Sequence, residues 1–220
     1  MSSSRSVPAP RFVVFEGVDG VGKSTLAAAL TRYYKAMIPA VPVYHGSFPG
    51  AEPGTLGAWV YRLHHNDAVD APSPASIAPP ALQLLHVAAH VDAIMTRLVP
   101  AFHQGSTVIL DRYWWSTYAY ARRHLLPDAA WALVGAERPF WHEMPHPIVF
   151  YVTRAHSLKA YELDAEAHAA INGAYGEVIV EERGRGVQVH DLSNDGPLQD
   201  TWAALLEILG LPDAKLEDNV

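Results

Sequence analysis

Residues 12–30 read FVVFEGVDGVGKSTLAAAL. Five residues, apolar but for Glu16, have the length and composition of a buried strand. A glycine-rich turn follows, and then an alanine- and leucine-rich run of helical character. Within it, Gly17 to Ser24 matches G-x-x-x-x-G-K-[ST] in the strand–turn–helix context that this pattern requires. The motif covers Gly17, Val18, Asp19, Gly20, Val21, Gly22, Lys23 and Ser24, with Thr25 one position into the helix. Its glycines let successive N–H groups turn inward around phosphate oxygens, and the helix start adds unpaired donors and a positive dipole end. Lys23 is expected to reach the β- and γ-phosphates, and the Ser24 hydroxyl to bind Mg²⁺. N-K-x-D occurs nowhere, and the single D-x-x-G string, Asp19 to Gly22, lies inside the loop, which argues against a GTPase switch.

Working outward, four more short apolar runs follow: VPVYHG, STVILD, HPIVFYVT and GVQVHDLS. Helical stretches separate them, among them AWVYRLHH, a long run from Leu82 to about Phe102, one through INGAYGEVIVEE, and a closing helix ended by Gly210. Alternating strands and helices predict α/β architecture: a P-loop three-layer fold, with a five-stranded parallel sheet and helices on both faces. Ligands in such sheets bind beyond the carboxyl ends of the strands. Residues 1–10, rich in Ser and Pro, are expected to be frayed, 11–213 to form one P-loop domain, and 214–220 to be a tail. The 220 residues suffice for one sizeable core. A net charge of -7 disfavours nucleic acid as a partner, and the absence of cysteine excludes disulfides and thiolate metal sites. No apolar run is long enough to span a membrane and the first residues lack a signal-peptide core, so a soluble cytoplasmic protein is expected.

The third strand ends in Asp111 and Arg112, within DRYWWSTYAY. Phosphoryl transfer requires a carboxylate near Mg²⁺ and cations that hold phosphates in line, and this pair supplies both. With these residues in view, the chain resembles the thymidylate kinase family of P-loop nucleoside monophosphate kinases. FEGVDGVGKST looks like its phosphate loop, and DRYWWSTYAY like its D-R-[YH]-x-x-S-x-x-A-[FY] segment. AEPGT is similar to its Glu-Pro-Gly loop, and INGAYGEV to its late helix, with Tyr175. The resemblance implies ATP as donor, Mg²⁺ held by Ser24 and Asp111, a small-molecule phosphate acceptor and a homodimer. It implies that Asp19 contacts the acceptor's sugar hydroxyl and Arg112 its phosphate, and that Ser116, Ala119 and Tyr120 line the nucleoside pocket with Phe48 and Tyr113. A short lid at about 154–166 would bring Arg154 and Lys159 over ATP, and the loop around Asn194 would lie by the adenine.

The departures cluster on the acceptor side. Ala51 stands where the family has an arginine before Glu-Pro-Gly, and Ala121 where a Gln often follows Ala-Tyr. His86 and His90 in LLHVAAH replace a base-stacking Phe and a base-reading Arg. Four residues apart, these histidines share one helix face. Three readings stay open: a metal pair (lacking a third ligand, with Val87 where H-E-x-x-H has Glu), a structural pair, or pocket lining joined by His45. His142 and His146 read as surface or packing residues, and Trp114 and Trp115 as packing. Loss of the arginine at position 51 implies either an acceptor with less phosphate, or none, or a substitute cation from Arg62, Arg122 or Arg123. The expected function is ATP- and Mg-dependent phosphorylation of a nucleoside monophosphate, dTMP by resemblance. The alternatives are a kinase of another nucleoside-like, phosphate or phosphonate acceptor, and a non-catalytic nucleotide-binding protein.

Overall fold

The structure, a computed structural model, describes residues 11–65, 73–155 and 165–216. Strand β1 (Phe12–Glu16) is buried along its whole length and leads through the phosphate loop into α1 (Lys23–Met37). Next come β2 (Val43–Ser47), α2 (Leu56–His64) and α3 (Pro79–Ala93). A π-helical turn (Ile94–Leu98) joins α3 to α4 (Val99–His103), which leads into β3 (Thr107–Asp111). Helices α5 (Trp114–Ala121), α6 (Pro127–Gly135) and α7 (Arg138–Trp141) precede β4 (Ile148–Thr153). Helix α8 (Ala165–Gly184), β5 (Gln188–Ser193) and α9 (Leu198–Ile208) complete the chain.

All five strands are parallel, in the order β2-β3-β1-β4-β5, with helices around them. β1 lies at the centre, bonded to β3 and β4, so the phosphate loop emerges from the most buried strand. Neighbours bring the other site segments to the same edge: Phe15 registers with Asp111, Ser47 with Asp111, and Thr153 with Ser193. The fold class and the sequence of strands thus follow the expected alternation. The stretch 127–141 adds two helices that the alternation does not require.

The long helix expected from Leu82 to Phe102 starts earlier, at Pro79, and is interrupted. Pro100 has no N–H, and its ring crowds the carbonyl four residues back; the wider turn just before it relieves that crowding. The Val99 N–H bonds to the Ile94 carbonyl, five residues back, as a π turn requires. Beyond α9 the chain folds back over α1 and α9. Tyr33 donates to the Pro212 carbonyl and Trp202 to the Ala214 carbonyl, and the Leu216 N–H donates to Gln199. Packing therefore continues past residue 213, where a tail was expected to begin. Residues 1–10 and most of the expected lid, with Lys159, lie outside the described residues. Among the described residues no helix is long and apolar enough to cross a membrane.

Gly17 links sheet and loop. Its φ is +138°, and a Cβ there would lie 2.3 Å from the Val152 carbonyl oxygen on β4. A Cβ added at Gly173, in α8, would meet nothing within 4 Å. Gly17→Ala is therefore expected to destabilise the fold by about 2 kcal/mol or more, and Gly173→Ala to stabilise it by up to about 1 kcal/mol. Urea denaturation of the two variants checks this; equal effects would contradict it.

Candidate active site

The phosphate loop is held from outside. Asn194 is 2% exposed, donates to the Val21 carbonyl at 2.8 Å and accepts from Thr201 at 3.1 Å. It braces the loop from the end of β5 rather than offering its amide to solvent. The Lys23 ammonium turns back onto its own loop, donating to the Val18 carbonyl at 2.7 Å. Burial, with repulsion from Arg112 added, pulls its pKa down to about 8 against the attraction of Asp111, Asp19 and Glu16. Gly22, Thr25, Arg154, Asn194, Gly196 and Leu198 line a cavity of about 170 Å³ beside this loop, at the ends of β4 and β5. Arg154 therefore sits where the lid arginine was expected to begin. Asp195 holds the chain there by accepting from the Ala155 N–H at 2.6 Å.

The hydroxyl of Ser24 donates to Asp111 Oδ2, joining the start of α1 to the end of β3. The other carboxylate oxygen, Oδ1, is buried and has no hydrogen-bond partner. A hydroxyl beside a carboxylate that has one buried, unpaired oxygen supplies hard-oxygen donors suited to Mg²⁺. Among the described residues no group of three or more His, Cys, Asp or Glu side chains is arranged to hold a metal ion.

Arg112 follows at a φ of +73°, a left-handed conformation uncommon for arginine. Its N–H bonds to the Phe15 carbonyl at 2.8 Å. Its guanidinium donates to Asp19 at 2.5 Å and to Ser116 Oγ at 2.8 Å, while Tyr120 donates to the other Asp19 oxygen at 2.9 Å. Burial pushes the Asp19 carboxyl up, but Arg112, Lys23 and the hydrogen bonds outweigh it and hold the pKa below the ordinary value. Asp19, Arg112, Ser116 and Tyr120 are thus brought together as one cluster.

At the centre of this cluster is a residue that motif reading passed over. Glu16 is fully buried and accepts from the N–H groups of Tyr113 (2.7 Å) and Ser116 (3.1 Å), and from the hydroxyls of Ser116 (2.7 Å) and Tyr175 (3.2 Å). Burial raises its pKa, with Arg112 and the hydrogen bonds opposing. Tyr113 and Ser116 are the N-cap and third residue of α5, which has no cap from its own side chains, so Glu16 caps that helix from across the sheet. The signal was a lone charge in an apolar strand, directly before the loop.

The histidine pair divides. His86 is partly exposed and packs edge-on to His64, at 5.6 Å between ring centroids. Burial, with His90, His64 and Arg112 adding repulsion, pulls its pKa down to about 3, so it is neutral at physiological pH. His90 is only 1% exposed. It stacks on Phe48 at 4.3 Å and bonds through Nδ1 to Glu137 at 2.7 Å. Phe48 and Tyr113 are both 5% exposed and pack at 5.2 Å. Hence His90 backs Phe48 rather than facing an open pocket, and α6–α7 supply its partner, Glu137, which no motif marked. His45 is exposed, at the β2 edge of the site. Arg122 is committed elsewhere: it donates twice to Glu177 and once to the Leu125 carbonyl. Trp114 and Trp115, each 1% exposed, are packing residues as expected.

A phosphate loop on a central parallel strand, a Ser–Asp pair beside it and an Arg–Asp–Tyr cluster beyond are the arrangement of a P-loop fold. A family model described as thymidylate kinase matches residues 15–157. The chain belongs to the thymidylate kinase family. It is 36% identical over 108 residues to a thymidylate kinase of Chlorobium chlorochromatii (strain CaD3), covering 49% of this chain and 44% of the relative. It is 39% identical over 125 residues to one of Bifidobacterium longum (strain DJO10A), covering 53% and 55%. The chain thus spans about half the length of the curated relatives it matches. The crystal structure of thymidylate kinase from Ehrlichia chaffeensis superposes with a TM-score of 0.71 at 19% identity, over 93% of this chain and 100% of that one, and so shares the fold.

Bound phosphates would favour protonated Lys23, whose pKa in the free protein is about 8. A cation whose pKa rises on binding takes up a proton there, so affinity is full below the free value and falls as pH rises through it. ATP affinity is expected to be level between pH 6.5 and about 7.5, then to weaken by up to about tenfold per pH unit above about 8. Lys23→Met should remove the slope. Calorimetric titrations across that range measure it, and a wild-type affinity unchanged up to pH 9.5 would refute the assignment.

Proposed function

We propose that this protein is an ATP- and Mg-dependent kinase that transfers the γ-phosphoryl group of ATP to a nucleoside monophosphate, with dTMP as the acceptor. The observation that carries this reading is the Ser24–Asp111 pair, with Asp111 Oδ1 buried and unpaired at the mouth of the phosphate loop. Magnesium held there would neutralise phosphate charge during transfer. Lys23 supplies the cation for the β- and γ-phosphates, and the loop N–H groups fix their position. Arg112 is aimed by Ser116 and Asp19 to stabilise charge on the transferring group, with Arg154 approaching from the donor side. Asp19 and Tyr120 face the acceptor's sugar. A phosphate oxygen as nucleophile needs no strong general base. Family membership supports the reaction class, and the relatives named above support dTMP.

A second acceptor is favoured by the acceptor wall itself. Ala51 offers no cation, His86 is a neutral imidazole, and His90 is buried against Glu137. These residues suit a related phosphate- or phosphonate-bearing small molecule as well. The family resemblance also supports a homodimer, for which Leu56, Trp59 and Leu84 on α2 and α3 offer exposed apolar surface.

A coupled ADP-release assay over dTMP, dUMP, other monophosphates, nucleosides and phosphonates tests the proposal. Acceptor-dependent turnover is expected, with dTMP or a close analogue best, and Lys23→Ala should lower kcat/KM by about 10²–10³-fold. ATP binding without turnover on every acceptor would instead identify a non-catalytic nucleotide-binding protein.

A further inference from the structure

The cavity bounded by Gly22, Thr25, Arg154 and Asn194 assigns the ends of β4 and β5 to the donor. The acceptor then approaches over β2 and β3. The loop after β2 begins beside the site, because the Phe48 N–H bonds to the Asp111 carbonyl at 3.0 Å. Its residues 48–55, FPGAEPGT, carry no cation. Arg97 brings one from another element. It sits on the π turn between α3 and α4, and its Nη2 donates to the Pro49 carbonyl at 2.6 Å and its Nη1 to Glu52 at 2.7 Å. Gly50 makes the approach feasible: a Cβ there would lie 2.7 Å from Nη1.

The two ends of this ion pair differ. The Arg97 side chain is 15% exposed and enclosed by the loop, whereas Glu52 is 45% exposed. Arg97 Nε is buried without a hydrogen-bond partner, so one donor of the guanidinium is left unsatisfied. An exposed carboxylate returns to water at little cost. A dianionic phosphate presents the same oxygen geometry to a guanidinium with more charge. Arg112 and Arg122 already engage Asp19 and Glu177.

Building on the kinase reading above, we infer that Arg97 is an acceptor-phosphate contact that the loop after β2 lacks in its own sequence, and that Glu52 occupies its place in the free protein. The acceptor class is then one that already carries a phosphate or phosphonate dianion, not a neutral alcohol. The acceptor exchanges with Glu52 at Nη1, and Nη2 continues to hold the Pro49 carbonyl.

Binding of dTMP and of thymidine to the ADP- and Mg-saturated protein, measured by calorimetry, tests this. Glu52→Gln is expected to tighten dTMP about three- to tenfold and leave thymidine unchanged, because a competing charge is removed. Arg97→Gln is expected to weaken dTMP about tenfold or more, with Arg97→Lys intermediate, since a planar fork that holds the loop carbonyl and the phosphate at once becomes a point charge. In the double variant the benefit of Glu52→Gln should vanish, which separates displacement at Arg97 from general electrostatics. A Glu52→Gln effect that is absent, equal for thymidine, or undiminished in the double variant overturns the inference and leaves the kinase reading standing. No dTMP binding to the unmodified protein overturns the dTMP assignment and this inference together. Should Arg97→Gln fail to fold, the Glu52→Gln comparison of dTMP with thymidine decides alone.

Discussion

A carboxylate with no access to water holds this site together. Glu16 ends the central strand, directly before the phosphate loop, and collects two N–H groups and two hydroxyls from three residues on two other segments, the start of α5 and α8. Burying it unpaired would cost several kcal/mol, so those segments are tied to one arrangement. The Tyr113 and Ser116 N–H groups set where α5 begins, Ser116 then receives Arg112, and Tyr175 bonds both Glu16 and the Gly17 carbonyl. The donor loop, the Asp-Arg turn and the late helix α8 thereby share a single anchor.

From that anchor the two halves of the site differ in kind. The donor half is built from backbone and braced by buried amides, with Asn194 gripping Val21. The acceptor half is built from side chains packed in layers: Phe48 on His90, and His90 on Glu137. The phosphate loop depends on its glycines, since a Cβ at Gly17 would meet the Val152 carbonyl, whereas the other half depends on side chains that pack on one another. The departures from the family pattern gather on that side-chain half, where His90 and Glu137, 47 positions apart, act as one unit.

Much of this was legible in the chain. The phosphate loop, the Asp-Arg turn and five parallel strands follow from local pattern, and the family resemblance pointed to Asp19, Arg112, Ser116 and Tyr120. Glu16 carried a visible signal, a charge in an apolar strand. Arg97 and Glu137 carried none, since each is one charge among many and acquires meaning only from a partner 45 or 47 residues away. His90 looked like its neighbour His86, yet the packing of Phe48 buries one and leaves the other partly open.

The sequence by itself determined the fold class, the strand that carries the phosphate loop and the residues of that loop. Period, glycine placement and a short motif encode these in contiguous residues. Only the tertiary structure decided which histidine is buried behind Phe48, that Arg122 is committed to Glu177, and that a guanidinium from the π turn enters the loop after β2. Those outcomes depend on which side chains meet across the fold, and local sequence carries no record of contacts between distant elements.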